Sequence, residues 1–375
     1  MNFGFTEEQE LLRAEVRKLL DQDCPMTEVR KTAASREGYS PELWKRIAEL
    51  GWTGLTVPEA HGGAGLGFVD LVVLLEETGR SLFPSPLLST TLATAAIAGG
   101  GTEAQRARTL PGIADGTRIG TVALVEASDR LDAEGVQLVG ERDGAGFVLH
   151  GEKLFVPDAG AASLFVVSFR SGRRPEEVSL ALIERDAAGV SAENLPGIDE
   201  TKRQGRLRLD GARIAADALL GPAGAAWPQV ERLLDHGAAA VTAEMIGAME
   251  GALALTVRYA KERVQFGSPI GRFQGVKHPL AEMYVDVESF KSLLYHAAWA
   301  LDESPADAPR AVSMAKAYAT EAFARAGLDA VGLHGGIGYT WEYDAQLFLK
   351  RAKWARPMFG DADWHYERVA KLGGL

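Results

Sequence analysis

The chain has 375 residues, 46% apolar and 24% charged, with 16 prolines, one cysteine and a formal charge of −11. That length points to two or three domains with a core large enough to fold without disulfides or a structural metal, and the composition excludes disorder, collagen and coiled-coil fibre. Cys24 has no partner for an intramolecular disulfide, the seven histidines stand at no zinc-ligand spacing, and an acidic chain without a Lys/Arg block disfavours nucleic acid as a partner.

The opening Met1–Glu8 lacks a basic region followed by an apolar stretch, so no secretory signal is expected. No uninterrupted apolar run reaches the ~18 residues of a membrane span, which makes a cytoplasmic protein without a membrane segment the expectation. Thr6-Glu7-Glu8-Gln9 is a capping box followed by Leu12, Val16, Leu19 and Leu20 on one stripe, predicting a helix over 6–20. Ser40-Pro41 opens a second helix, with Leu43, Trp44, Ile47 and Leu50 on its apolar face and Gly51 closing it. The glycine cluster 62–67 precedes an apolar helix from Phe68 to Arg80. No strand leads into that cluster and no βαβ unit follows, so a dinucleotide loop is set aside.

From about residue 117 the period changes. Thr121–Val125, Gly146–Leu149, Leu164–Phe169, Val178–Ile183 and Arg206–Leu209 are short alternating or β-branched runs between turns, the pattern of an antiparallel β domain that ends at Gly221-Pro222. Long helical stretches return from Trp227, broken near Gly267–Phe273, Pro305–Pro309 and Gly335–Thr340, enough for a bundle of four or five helices. The expected class is α+β, divided into an N-terminal helical domain (1–116), a central barrel-like β domain (117–222) and a C-terminal helical bundle (223–375).

The run from Tyr259 to Gln274, Tyr-Ala-Lys-Glu-Arg-Val-Gln-Phe-Gly-Ser-Pro-Ile-Gly-Arg-Phe-Gln, resembles a signature of the acyl-CoA dehydrogenase flavoprotein family. So does His334-Gly335-Gly336-Ile337-Gly338-Tyr339-Thr340-Trp341-Glu342-Tyr343, and Gly51-Trp52 through Gly65 adds an N-terminal match. The resemblance covers essentially the whole chain. It implies a helical domain, a β domain and a four-helix bundle, with FAD bound across subunits of a homotetramer or a related assembly. It also implies an acyl-CoA substrate, a place in lipid metabolism and an electron-transferring flavoprotein as electron acceptor. FAD contacts are implied at Arg263, Gln265, Phe266, Gln274, Gly335, Gly336 and Gly338, and on the β domain at Leu124, Phe155 and Pro157.

Physical chemistry supports these positions only in part. An arginine fork matches a pyrophosphate, and Arg263 sits at a helix end from which its head could reach a neighbouring subunit's cofactor; the same residue could equally pair with Glu262 or a carbonyl. The glycines at 335, 336 and 338 let backbone N–H groups approach an anion, or form an ordinary turn. In Gly151-Glu152-Lys153-Leu154-Phe155-Val156-Pro157-Asp158 the chain departs from the family, which usually has Trp where Phe155 stands and Thr where Pro157 stands. Proline brings neither hydroxyl nor amide hydrogen. The segment Val122–Asp129 also replaces a longer family loop.

Removing hydrogens from Cα and Cβ of an acyl thioester needs a hydride acceptor, flavin N5, and a base for the α-proton. The family's two usual positions for a glutamate base fall, by ungapped counting, on Phe359 and Gly237. Neither can take a proton. Glu244, two turns beyond Gly237 in a small-residue stretch, is a candidate base or else the partner of a cation at a helix contact. Asp361 is the second candidate, or a contact to cofactor or a helix cap; Asp235 and Glu231 are weaker. Three functional alternatives accompany dehydrogenation by this chain. It could be a non-catalytic partner subunit in a heterotetramer, a same-fold flavin enzyme of monooxygenase or desulfinase type, or a cofactor-free scaffold. The intact Arg263, Gln274 and glycine pattern argues against the last.

Overall fold

Thr6 starts the first helix as its sequence requires. Its hydroxyl accepts from the Gln9 backbone at 3.2 Å while the Gln9 side-chain oxygen accepts from the Thr6 backbone at 3.0 Å, and α1 (Glu7–Asp23) buries Val16, Leu19 and Leu20. The computed structural model describes residues 5–375; Met1–Gly4, on which the leader reading partly falls, lie outside the described residues. After α2 (Met26–Ala33), α3 (Pro41–Glu49) begins with the Ser40 hydroxyl accepting from Leu43 N, and α4 (Phe68–Arg80) has the expected bounds. Two helices without a clear period complete this region, α5 (Leu87–Gly100) and α6 (Glu103–Ala114), the latter with Pro111 inside it.

By contact the chain forms two compact units. One comprises, among the described residues, 5–31, 68–83 and 237–375. Here α1 is tied to α4 by ion pairs, Arg13 to Glu76 at 2.8 Å and Arg17 to Glu77 at 2.6 Å, with both carboxylates buried. The C-terminal helices are α7 (Trp227–Glu262), α8 (Gln274–Glu303), α9 (Ala308–His334), α10 (Ala345–Ala355) and α11 (Ala362–Leu372), with α9 packed against α8, α10 and α11. The breaks fall where the pattern put them. α4 meets α7 in backbone contact: a Cβ at Gly247 would lie 1.7 Å from the Glu76 carbonyl oxygen, so only glycine fits there. By length and composition α7 could cross a membrane, but its apolar window, of mean hydropathy 1.3, is 78% buried inside the protein, as in a core helix.

The other unit comprises residues 32–67 and 84–236 and carries two sheets. Seven strands contribute: β1 (Gly120–Ala123), β2 (Gly140–Asp143), β3 (Gly146–Pro157), β4 (Leu164–Arg170), β5 (Val178–Glu184), β6 (Val190–Leu195) and β7 (Gln204–Ile214). The orders are β1-β4-β5 and β2-β3-β7-β6. Every pairing is antiparallel apart from β1 against β4, which run parallel with Gly120 opposite Leu164. Phe147, Phe165, Phe169, Leu207 and Leu209 form the core of this unit, with the Phe147 and Phe169 rings edge to face at 5.1 Å. The sheet architecture is that of the expected β domain; β2 and β6, charged and partly exposed, are additions to the five expected strands.

Candidate active site

The two positions on which counting from the resemblance placed a base, Gly237 and Phe359, meet at one spot. Gly237 lies on α7 and Phe359 in the turn between α10 and α11. A Cβ at Gly237 would lie 2.5 to 2.7 Å from three carbons of the Phe359 ring, so that ring rests directly on the glycine backbone. Phe359 is 9% exposed and adopts φ +55°, a left-handed conformation that costs a bulky residue energy and persists where the surroundings hold it.

The holding groups are visible. The fully buried Lys316 ammonium on α9 donates to Thr320 Oγ1 at 3.0 Å and to the carbonyls of Gly360 at 2.9 Å, Arg356 at 3.1 Å and Ala355 at 3.3 Å. His365 Nε2 donates to the Phe359 carbonyl at 3.0 Å. Burial, opposed by the Asp361 charge, pulls Lys316 down to about 7, and burial with the Lys316 charge nearby pushes His365 down to about 3. His365 is therefore neutral, which agrees with one ring nitrogen donating to a carbonyl. Asp361 Oδ1 accepts from Trp364 N at 2.9 Å and forms the N-cap of α11.

Glu244 lies inside the helical unit. Its side chain is 4% exposed, and Oε2 is 3.9 Å from Nη1 of Arg351, itself 1% exposed, on α10. Asp235, 3% exposed, belongs to the part of α7 counted with the β unit, and Glu231 is exposed.

After α7 the chain makes a two-residue hairpin, β8 (Val264–Gln265) against β9 (Ser268–Pro269), with Phe266 at φ +52° and Gly267 at φ +76°. Paired positive φ values define a type I′ turn, the tightest way to reverse a ribbon. It presents Phe266 at 93% exposure, with the Phe273 ring 6.0 Å away edge-on. Arg263, Gln265 and Gln274 are exposed, and their side chains have no partner among the described residues. Gly335, at φ +63°, and Gly336 are exposed too, and a Cβ at either would meet nothing within 4 Å. Gly338 differs: its Cβ would strike the Val331 carbonyl at 2.4 Å, so it shapes the turn. Beside them the buried His334 leaves Nε2 without a partner while Nδ1 meets the Ala330 carbonyl at 2.6 Å. A free guanidinium, two free amides and two open glycine backbones form a donor set that fits the pyrophosphate and adenosine half of FAD.

In the β unit Phe155 is 48% exposed at φ +52°, at a bulge where β3 slips one residue against β7 between Lys153 and Val156. Leu124 is half-buried just past β1. Pro157 is buried, and its carbonyl accepts from the Thr121 hydroxyl at 2.6 Å. An exposed aromatic ring on a strained backbone is an apolar platform for a planar ring system such as flavin. The Lys316 and His365 contacts escaped the sequence reading, because a lone Lys or His in a helical pattern gives no signal of which carbonyls it will meet.

The free donors around the β8–β9 hairpin and the exposed Phe155 ring suit a flavoprotein, and the chain's relatives make its class an oxidoreductase acting on acyl-CoA. The chain belongs to the acyl-CoA dehydrogenase family, whose members use FAD: its residues 6–117, 121–212 and 224–373 match the N-terminal, middle and C-terminal domains of that family. It is 33% identical over 356 residues to acyl-CoA dehydrogenase IpdE2 of Mycolicibacterium smegmatis, covering 95% of each chain. Among solved structures it resembles the steroid ACAD Tcur3481-Tcur3483, with 34% identity, a TM-score of 0.89 and 98% of each chain covered. The ChsE4-ChsE5 complex from Mycobacterium tuberculosis matches at 28% identity and a TM-score of 0.90, over 100% of this chain and 99% of that one.

Proposed function

We propose that this chain is the base-deficient member of a heteromeric acyl-CoA dehydrogenase, a cytoplasmic assembly in which a related subunit supplies the carboxylate that takes the α-proton. The observation that carries this reading is the Phe359 ring seated on Gly237, which fills both family base positions with one hydrocarbon. Bound FAD supplies the acceptor for the β-hydride. In the helical unit Arg263, Gln265, Phe266, Gln274, Gly335 and Gly336 would hold a pyrophosphate and adenosine half; in the β unit Leu124 and Phe155 would offer a face to a flavin ring, with Pro157 buried further along the same strand as Phe155. The pairing of Glu244 with Arg351 and the capping of α11 by Asp361 support structural roles for both carboxylates. One solved relative is the ChsE4-ChsE5 complex and another carries the double name Tcur3481-Tcur3483, which supports a heteromeric assembly here. An electron-transferring flavoprotein is the proposed electron acceptor. The sequence domains 1–116, 117–222 and 223–375 remain our division of the chain, supported by the edges of the family matches.

The test is anaerobic mixing of the purified chain with CoA thioesters, read by bleaching of the flavin absorbance. Wild type alone is expected to stay oxidised, whereas Phe359→Glu restores a carboxylate at the family position and speeds bleaching by about 10²–10⁴-fold. Rapid bleaching of wild type alone, abolished in Glu244→Gln, would return the base to Glu244 and overturn the proposal.

A further inference from the structure

The β unit contains a lysine that the flavin face does not touch directly. Lys153 is 0% exposed, and its ammonium donates to Glu126 Oε1 at 2.6 Å, Ser168 Oγ at 3.0 Å and the Leu124 carbonyl at 3.4 Å. Three donors meet three acceptors. Glu126 is likewise engaged, accepting from the backbone N–H groups of Gln137 and Leu138 at 3.1 Å. The neighbouring Leu154 N–H donates to the Val125 carbonyl at 2.9 Å, outside the β3 ladder.

The bulge gives this cluster its leverage. Strand alternation would turn Lys153 inward and Val156 outward, yet both are buried, and the extra residue throws Phe155 out. Lys153 and Leu154 thus grip the 124–126 segment from one side of the bulge while Phe155 projects from the other. A buried ion pair adds little net stability over an apolar pair of the same volume; what it adds is direction, because each charge-assisted bond fixes a geometry.

We propose that Lys153 and Glu126 are positioning residues, a buried pair that locks the Leu124–Glu126 segment to the Phe155 bulge and so sets the surface that receives the flavin ring. This rests on the FAD contacts assigned above to Leu124 and Phe155.

Lys153→Met and the double variant Lys153→Met/Glu126→Gln separate positioning from stability. The single variant leaves a carboxylate buried without its cation, so its melting temperature and its FAD affinity both fall. The double variant removes that carboxylate charge and regains the melting temperature, yet it binds FAD about tenfold more weakly, with flavin absorption bands moved toward those of free FAD. A double variant with wild-type affinity and bands overturns the proposal. Ser168→Ala provides a milder check in a protein that folds: it deprives Lys153 of one acceptor and shows the same band shift at smaller amplitude. Wild-type bands and affinity in Ser168→Ala also overturn the proposal, as does a wild-type chain that takes up no FAD. The base-deficient reading is decided separately, by flavin reduction with thioester.

Discussion

Replacing Glu244 by Gln removes a negative charge 3.9 Å from a guanidinium in the interior of the helical unit. At that separation and an effective dielectric of about 20, the lost attraction is about 4 kcal/mol, within the 3–5 kcal/mol that removal of one partner of a buried pair generally costs. Spread over 375 residues that unfold cooperatively, with an unfolding entropy of about 0.8 kcal/mol/K for the chain, the loss lowers Tm by about 4–6 °C. Differential scanning calorimetry on the wild type, Glu244→Gln and Glu244→Gln/Arg351→Met gives the comparison. The double variant should regain most of the loss, because no lone charge is left in the core. Introduced together with Phe359→Glu, Glu244→Gln should leave thioester-driven flavin bleaching intact. A Phe359→Glu/Glu244→Gln protein that melts within about 1 °C of Phe359→Glu but no longer supports bleaching refutes this reasoning and makes the Glu244 carboxylate the base.

Gly237→Ala drives a methyl into the Phe359 ring and should cost about 1–3 kcal/mol, recovered in Gly237→Ala/Phe359→Leu; denaturant midpoints of the two variants measure it. Arg263→Ala should weaken FAD binding by about ten- to hundredfold, a loss of about 1.5–3 kcal/mol in a fluorescence titration. Lys316 gives a pH signature. Its value near 7 in the folded chain lies below the ordinary 10.5, so between the two the unfolded chain holds the extra proton and this group makes stability rise with pH. Lys316→Met should therefore show a stability slope shallower than wild type by about 1.4 kcal/mol per pH unit, measured by denaturant unfolding from about pH 7.5 to 9.

Much of the fold was legible because local chemistry announces it. Thr6 with Gln9, Ser40 with Pro41 and the α4 stripe each place a helix by rules that need no tertiary context. The α5 stretch was less readable because it is buried on nearly every face and so lacks a period. The missed α6 had a usable signal in the capping box from Thr102 to Gln105, which the structure shows formed. The strands β2 and β6 carry charged or exposed residues that hide their alternation, and the parallel pairing of β1 with β4 depends on where a distant strand returns. In the site, motifs pointed to the residues proposed to hold FAD, whereas two relations lay beyond any pattern. The meeting of Gly237 with Phe359 joins positions far apart in sequence, and three of the four Lys316 contacts are to carbonyls, which every residue has.

The division of the chain bears on how it is made. The β unit is complete once His236 has been synthesised, while the helical unit holds α1 and α4 from the beginning of the chain and waits for partners roughly 140 residues further on. At about 5–20 residues per second the ribosome needs about 7–28 s to supply them. Through that interval Leu71, Val72, Val73, Leu74 and Leu75 of α4, all at most 1% exposed in the finished protein, lack the C-terminal helices of their unit. Nascent chains stalled just after residue 236 should therefore bind trigger-type chaperones through α4, and a premature stop that removes α10 and α11 should yield an insoluble product rather than a shortened enzyme.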